Sequence, residues 1–196
     1  MKNKILMGLS IIVMIVTLSS CGKTPQVQID ATKAAIDSAV VAEAPIYLPV
    51  EFLALQDSMN VILTDVATQQ SKLFKKFGPI KVKLDSTLVI ANKLTVSAGI
   101  KKAEVKKEVE TLLAEVKVIS AENVVLLTKA PRGKEGVVVL EQIRTEMTTI
   151  EATVLEAQGM YDRGLFMDAN SKIKAGKELA TGINTELKDA IAKVKR

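Results

Sequence analysis

Apolar residues recur at alternating intervals of three and four positions along most of the chain, which is the spacing of one face of an α-helix. The pattern is clearest in the last third, where it predicts two helices joined by a tight turn at Arg163-Gly164. The apolar face of the first helix is Leu140, Ile143, Met147, Ile150, Val154, Ala157 and Tyr161. The apolar face of the second is Phe166, Ala169, Ile173, Gly176, Ala180, Ile183, Leu187, Ala190 and Val194. A period of about 3.5 residues and so short a connection predict an antiparallel, coiled-coil-like pair.

The middle of the chain keeps one apolar phase from Leu84 to Leu126, and this phase is unbroken across Gly99. Glycine inside a helix costs about 1 kcal/mol relative to alanine. Two structures therefore stay open, one very long helix or two helices that meet near Gly99, and we expect a kink or break there. Lys102 and Asn123 fall on the apolar phase. Either such residues set the register of the packed helices, or Lys102 marks the break and faces water.

Two helices are predicted ahead of this segment. One begins with Asp30 as its N-cap and runs to about Val41, and the other spans about 49–77 and is broken by Gly78-Pro79. The apolar face of the second is Phe52, Leu55, Met59, Ile62, Val66, Leu73 and Phe77. A further loop is predicted at 131–136. The fold class is therefore all-α, an elongated antiparallel bundle of about five to six helices built from long coiled-coil-like hairpins, and a helix of about thirty residues makes it about 45 Å long.

The first twenty residues have the layout of an export signal. Lys2 and Lys4 precede an apolar stretch from Ile5 to Leu18. This stretch is about fourteen residues long, shorter than the roughly twenty that a helix needs to cross a bilayer. The pattern therefore favours a removable leader over a permanent membrane span.

Leu18-Ser19-Ser20-Cys21 at the end of that stretch resembles a bacterial lipobox, and Cys21 is the only cysteine. The resemblance implies cleavage before Cys21, a diacylglycerol on its thiol and an acyl chain on the new amine, with no other cofactor. It divides the chain into a signal peptide (1–20), a lipidated tether (21–28) and one helical bundle domain (29–196). Gly22, where an aspartate would retain the protein at the inner membrane, favours the periplasmic leaflet of the outer membrane in a host with two membranes. The alternative is a buried or disulfide-bonded cysteine, although a lone cysteine has no internal partner.

Other segments are similar to a group of uncharacterised bacterial helical lipoproteins and envelope proteins with tetratricopeptide-like hairpins. The residues that carry this resemblance are the alanine-rich first helix, the segment 130–134 ahead of a Leu-x-x-Ile helix, and the segment 161–169. The tryptophan of that repeat and its period of about 34 residues are missing. The resemblance implies helical hairpins and no particular activity.

Composition argues against catalysis. The chain has no histidine, one cysteine and no tryptophan, which excludes Ser-His-Asp and Cys-His catalysis and leaves out the usual zinc, copper and haem ligand sets. The net charge of +5 falls to +3 without the two leader lysines, since 25 basic residues then face 22 acidic ones. That small, interleaved charge does not predict a nucleic-acid partner. We expect a protein that is not an enzyme and binds no metal.

One candidate site is a basic knob around Gly78. Its lysines, which flank Phe74, Phe77 and Ile80, are Lys72, Lys75, Lys76, Lys81 and Lys83. The hypothesis is contact with an anionic surface, either lipid head groups or a cell-wall polymer. The favoured alternative is a solvated rim whose aromatic residues close the end of the bundle.

Two further features have similar pairs of interpretations. Tyr161, Phe166 and Met167 form a second hairpin tip, which is either a docking spot or, as we favour, the closure of the core. The charged run at 101–110 is interpreted as a solvated helix face with pairs three and four residues apart.

The function that these features predict is that of a lipid-anchored envelope protein, a structural spacer or an adaptor with an envelope protein as partner. The anchor attaches it to a membrane and raises its concentration near membrane partners. The alternative is a carrier that binds a small apolar ligand or a lipid between its helices.

Overall fold

The computed structural model describes residues 23–132 and 134–194, and the leader and Cys21 lie outside this part. The described residues form six helices and no strand, which confirms the all-α, elongated bundle. The helices are α1 (Gln26–Val41), α2 (Ala44–Tyr47), α3 (Pro49–Gln70), α4 (Gly78–Lys129), α5 (Lys134–Asp162) and α6 (Phe166–Val194).

The longest element is α4, whose 52 residues continue through Gly99 without a break. The break that we expected there is therefore wrong, and so is a length of 45 Å, because α4 alone measures about 78 Å. Ala98 is buried on one side of the glycine and Val105 on the other. This packing extends along both halves of α4 and outweighs the modest helix propensity of one glycine.

Two three-helix bundles share α4. In the first, α1 and α3 pack on its N-terminal half, and in the second, α5 and α6 pack on its C-terminal half. The side chains pair Glu108 with Lys174 and Glu122 with Lys188, so α6 runs parallel to α4. The hydroxyl of Thr32 lies 3.4 Å from the carbonyl oxygen of Leu84. Ala39, further along α1, lies in the same cluster as Ala98, further along α4, so α1 is likewise parallel to α4. Only α3 and α5 are antiparallel to it.

The short helix α2 sits where the two bundles meet. Tyr47 is buried in the same cluster as Val105 and Val109 of α4, and so joins the first bundle to the second. Glu43, just before α2, has a left-handed backbone with φ of 61°. Its carboxylate lies 2.8 Å from the Nζ of Lys102, which ties the turn to the middle of α4.

Several predicted boundaries differ from the structure. The helix α1 begins at Gln26, inside the predicted tether, so Asp30 is within the helix rather than its cap. The helix α3 ends at Gln70, and Leu73, expected on the buried face, is 91% exposed. Gly78-Pro79 begins α4 instead of breaking a helix, because proline suits the first turn, where no N–H is needed.

The predicted pair of C-terminal helices is confirmed. Its expected apolar faces supply most of the second core, including Ile143, Ile150, Ile173 and Leu187. The helix α5 begins at Lys134, within the loop predicted at 131–136.

Candidate functional site

One end of the molecule, which we call the proximal tip, consists of residues 23–25 and the loop 71–77 between α3 and α4. The amide Nε2 of Gln70 donates to the hydroxyl of Thr24 at 3.1 Å, which places the start of the described chain beside the loop. The loop is held from within, because the N–H of Lys76 donates to the Oε1 of Gln69 at 3.3 Å. Phe77 is buried and fixes the end of the loop to the core.

The proximal tip brings together three of the five predicted lysines. Lys72, Lys75 and Lys76 are exposed in the loop. Lys81 is half-buried in the first turn of α4, and Lys83 lies 2.7 Å from the carboxylate of Asp65. The charge of Lys83 is therefore partly balanced within the protein.

The apolar residues of the knob separate into two groups. Phe77 and Ile80 are buried, as the core-closing interpretation expects. Phe74, in contrast, is 81% exposed and stands next to the exposed Leu73. Two large apolar side chains thus project from the basic loop, whereas the sequence pattern placed Leu73 on the buried face and the favoured alternative had Phe74 close the end of the bundle.

The second predicted tip lies beside the middle of α4 rather than at an end of the rod. The rings of Tyr161 and Phe166 are 5.2 Å apart, and the Nζ of Lys106 lies 5.9 Å from both ring centroids. The hydrogen bond from the Tyr161 hydroxyl to the carboxylate of Glu110 raises the pKa of Tyr161 to about 12. Met167 remains partly exposed. Both rings pack against the second core.

Lys102 does not mark a helix break. It is half-buried, and its hydrogen bond with the Glu43 carboxylate raises the pKa of the ammonium group. Burial together with the negative charge of Glu43 raises the pKa of Tyr47 nearby. These groups form a polar joint between the two bundles.

The charged run at 101–110 is more than a solvated face. One pair, Lys101 with Glu104, is three residues apart, as expected. Glu108, however, accepts a hydrogen bond from Asn170 at 2.8 Å and lies 2.7 Å from Lys174, both in α6. These hydrogen bonds, first Lys174 and then Asn170, lower the pKa of Glu108.

The same arrangement recurs fourteen residues further along both helices. Glu122 pairs with Lys188 at 2.9 Å, and hydrogen bonding by Lys188 and then Asn184 lowers the pKa of Glu122. The sequence contains the signal, an Asn-x-x-x-Lys spacing that occurs twice in α6, but nothing local indicates that glutamates of α4 lie opposite. The interpretation of these charges as an isolated helix face missed this pairing.

An exposed apolar stripe runs along α4. Val82, Ile100 and Val118 are spaced by eighteen residues, which is five full helical turns, so they share one face. Val89, Val96 and Val125 fall within about 40° of the same face. Each of these six side chains is at least half exposed. Together they form a line of exposed apolar side chains along both halves of α4.

The far end of the rod has a groove of about 760 Å³ that is open to solvent. It is lined by Pro131, Gly182, Thr185, Glu186, Asp189, Ala190, Lys193 and Val194. A carrier needs a site that encloses most of its ligand, and this groove is open. The carrier function remains a prediction.

Neither a metal-binding cluster nor a membrane-spanning helix is found among the described residues. Within 23–132 and 134–194 no group of three or more acidic or cysteine side chains is placed to hold a metal ion. In the same part of the chain, no helix is both long enough and apolar enough to cross a membrane.

Comparison with known proteins finds no relative: no family model, no curated protein and no solved structure matches this chain.

Proposed function

We propose that the protein is a non-enzymatic spacer or adaptor of the bacterial cell envelope, anchored to a membrane through lipid on Cys21. The observation that supports this is the position of Thr24. Thr24 is hydrogen-bonded at the proximal tip, and α4 extends from that tip for about 78 Å. An anchor three residues before Thr24 would hold one end of a rod at the membrane and leave the other end free. We place it at the periplasmic leaflet of the outer membrane in a host with two membranes.

The partner of an adaptor would meet the sides of this rod. The exposed stripe of α4 offers valine and isoleucine side chains along both bundles. Two acidic side chains of the same helix, Glu108 and Glu115, are already paired with lysines of α6. A surface that runs the length of the rod suits an elongated or repeated envelope protein. A lipid anchor raises the effective concentration of the rod near such a partner without any added contact.

The anchor is tested by growing cells with an alkynyl fatty acid and comparing the wild-type chain with Cys21→Ser. We expect label and membrane fractionation for the wild type, with both lost in the variant. The mass of the N-terminal peptide of the purified protein identifies the acyl chains. A labelled Cys21→Ser chain, or a wild-type chain whose first peptide carries no lipid, would contradict the anchor.

The partner is tested by photocrosslinking in living cells with a reactive residue at Val96 or Val118 of the stripe. Leu155 of α5, which is 73% exposed, is the control position away from the stripe. We expect one protein captured from the stripe positions, not from the control, and only while Cys21 is intact. Equal capture at all three positions would contradict a specific adaptor surface and leave a passive spacer.

A further inference from the structure

We infer that the proximal tip is a second membrane contact, in which Leu73 and Phe74 enter the interface of an anionic bilayer and the surrounding lysines bind its head groups. The inference rests on the proposed function, since the anchor on Cys21 is what brings this tip to a membrane. It goes further by naming the residues and the lipid charge that orient the rod. The chemistry required is a pair of apolar side chains that enter the bilayer and neighbouring lysines that bind anionic head groups.

Among residues 23–132 and 134–194, nothing covers the apolar part of this contact. Leu73 and Phe74 are 91% and 81% exposed and adjacent in sequence, whereas the neighbouring Phe77 is 4% exposed. Phe77 and Ile80 fill this end of the core, and Phe74 lies outside it. Aromatic and leucine side chains on one exposed loop are typical of interfacial membrane anchors.

The charged residues of the proximal tip itself are all lysines, and the first acidic residue of α1, Asp30, accepts a hydrogen bond from Gln26 at 2.9 Å. Between Asp65 and Asp85 the sequence has no acidic residue, and the same is true from Lys23 to Ile29. Asp65 is itself paired with Lys83. The exposed lysines 23, 72, 75 and 76 therefore face outward without an acidic neighbour in these segments, which complements anionic lipid.

The position of the anchor fits the same geometry. Thr24 is three positions after Cys21, and an extended chain of three steps spans at most about 11 Å. A lipid on Cys21 would therefore hold the loop 71–77 within reach of the head groups, because Gln70 is hydrogen-bonded to Thr24. Two attachments, the acyl chains and the loop, would fix the direction of α4 relative to the membrane, which one flexible tether would not.

The test uses the absence of tryptophan from the chain. Phe74→Trp places a single fluorophore in the loop, the loop tryptophan. Val138→Trp, at a position of α5 that is 71% exposed, places one near the far end as a matched control, the control tryptophan. Each full chain is expressed, purified as the cells process it, and mixed with vesicles of phosphatidylcholine alone or with one third phosphatidylglycerol. Both variants are checked for wild-type helix content by circular dichroism.

We expect the emission of the loop tryptophan to shift to the blue and to be quenched by brominated lipids in the anionic vesicles, with much less change in the neutral ones. The control tryptophan stays unquenched in both. Adding Lys72→Gln, Lys75→Gln and Lys76→Gln to the Phe74→Trp chain lowers the ratio of inserted to free tip by about 100-fold, at about fivefold per lysine. These lysines are exposed, so the variant keeps its fold.

Three results would overturn the inference. They are quenching of the loop tryptophan no greater than that of the control tryptophan, equal quenching in the neutral and anionic vesicles, and protection of the loop tryptophan by isolated cell wall but not by vesicles. The mass of the Cys21 peptide separates this inference from the proposed anchor. A lipidated chain with an unquenched loop tryptophan contradicts only the tip, and an unlipidated chain with a quenched one contradicts only the anchor.

Discussion

The side-chain amide of Asn123 in α4 donates a hydrogen bond to the main-chain carbonyl oxygen of Ala180 in α6, across 2.8 Å. Asn123 is completely buried, and its own carbonyl oxygen accepts a hydrogen bond from Asn184, also at 2.8 Å. A buried amide with both ends satisfied is compatible with only one alignment of the two helices. The residue that breaks the apolar pattern of α4 therefore sets the register of α4 against α6.

Replacing Asn123 by alanine leaves a cavity and removes the acceptor of the buried Asn184 amide. We expect Asn123→Ala to lower the free energy of unfolding by about 2 kcal/mol. The exposed Asn92→Ala on the same helix changes it by less than about 0.5 kcal/mol. Urea unfolding followed by circular dichroism measures both.

A double variant tests whether the loss of stability comes from a buried amide that has lost its partner. Asn123→Leu combined with Asn184→Leu removes both partners at once, and we expect it to recover at least half of the loss, because no buried side-chain amide is left unpaired and Glu122 keeps Lys188 as its partner. If Asn123→Ala were as stable as Asn92→Ala, the amide would have no part in holding α4 to α6.

The two glycines Gly99 and Gly176 differ in the space beside them. A Cβ at Gly99 would meet no atom within 4 Å, whereas at Gly176 it would lie 3.0 Å from the Cγ2 of Thr153. We expect Gly99→Ala to raise the free energy of unfolding by about 0.5–1 kcal/mol, since alanine favours the helix.

Gly176→Ala gains the same propensity but crowds α5. We expect it to be less stable than Gly99→Ala by about 1–2 kcal/mol, and Thr153→Ser in the Gly176→Ala chain relieves part of the difference. Thermal unfolding of the three variants measures the effect. A destabilising Gly99→Ala would instead show that α4 needs its flexibility at this point.

Tyr161 is expected to titrate late. Its hydrogen bond to Glu110 raises its pKa from 10.0 to about 12, so the folded protein holds this proton more tightly than the unfolded chain. The resulting stabilisation is fully present below pH 10 and is lost as the pH rises through about 12. In the Tyr47→Phe chain, which retains a single tyrosine, ultraviolet absorbance follows Tyr161 directly.

Glu110→Gln in that background removes the negative charge. We expect the midpoint for Tyr161 to return towards 10, its ordinary value, with unfolding checked at every pH by circular dichroism. An unchanged midpoint would mean that the phenol is not bonded to Glu110 in solution.

The contact between α4 and α6 is expected to weaken in acid. The pKa values of Glu108 and Glu122 are lowered from 4.5 by their lysine and asparagine partners. A lowered pKa stabilises the fold above the unfolded value and ceases to do so as the pH falls through the folded one. We therefore expect urea midpoints to drop below about pH 4.5, and the drop to be smaller in the Glu108→Gln, Glu122→Gln chain. Glu151→Gln, at an exposed position of α5, serves as control. An acid profile of the Glu108→Gln, Glu122→Gln chain identical to that of the wild type would contradict these pairs.

The periodicity of the sequence was enough to predict an all-α rod and the buried faces of α5 and α6. Helical periodicity is a local property, because residues three and four apart lie on the same face whatever the rest of the chain does. Positions such as Ile143, Ile150 and Ile173 could therefore be assigned to the core from the sequence. Where helix ends depend on few local interactions, as at Gln70 and Gly78, the same reasoning misplaced the boundary.

The sequence by itself thus determined which segments are helical and which of their faces are apolar, while the lipobox-like leader stays a prediction. Only the tertiary structure decided that α4 passes unbroken through Gly99, because packing from both bundles exceeds the cost of one glycine. It also decided that Phe77 closes the core while Phe74 projects, and that Glu108 meets Lys174 rather than a neighbour on its own helix. Each of these depends on which distant segment packs against the residue, and no local pattern contains that information.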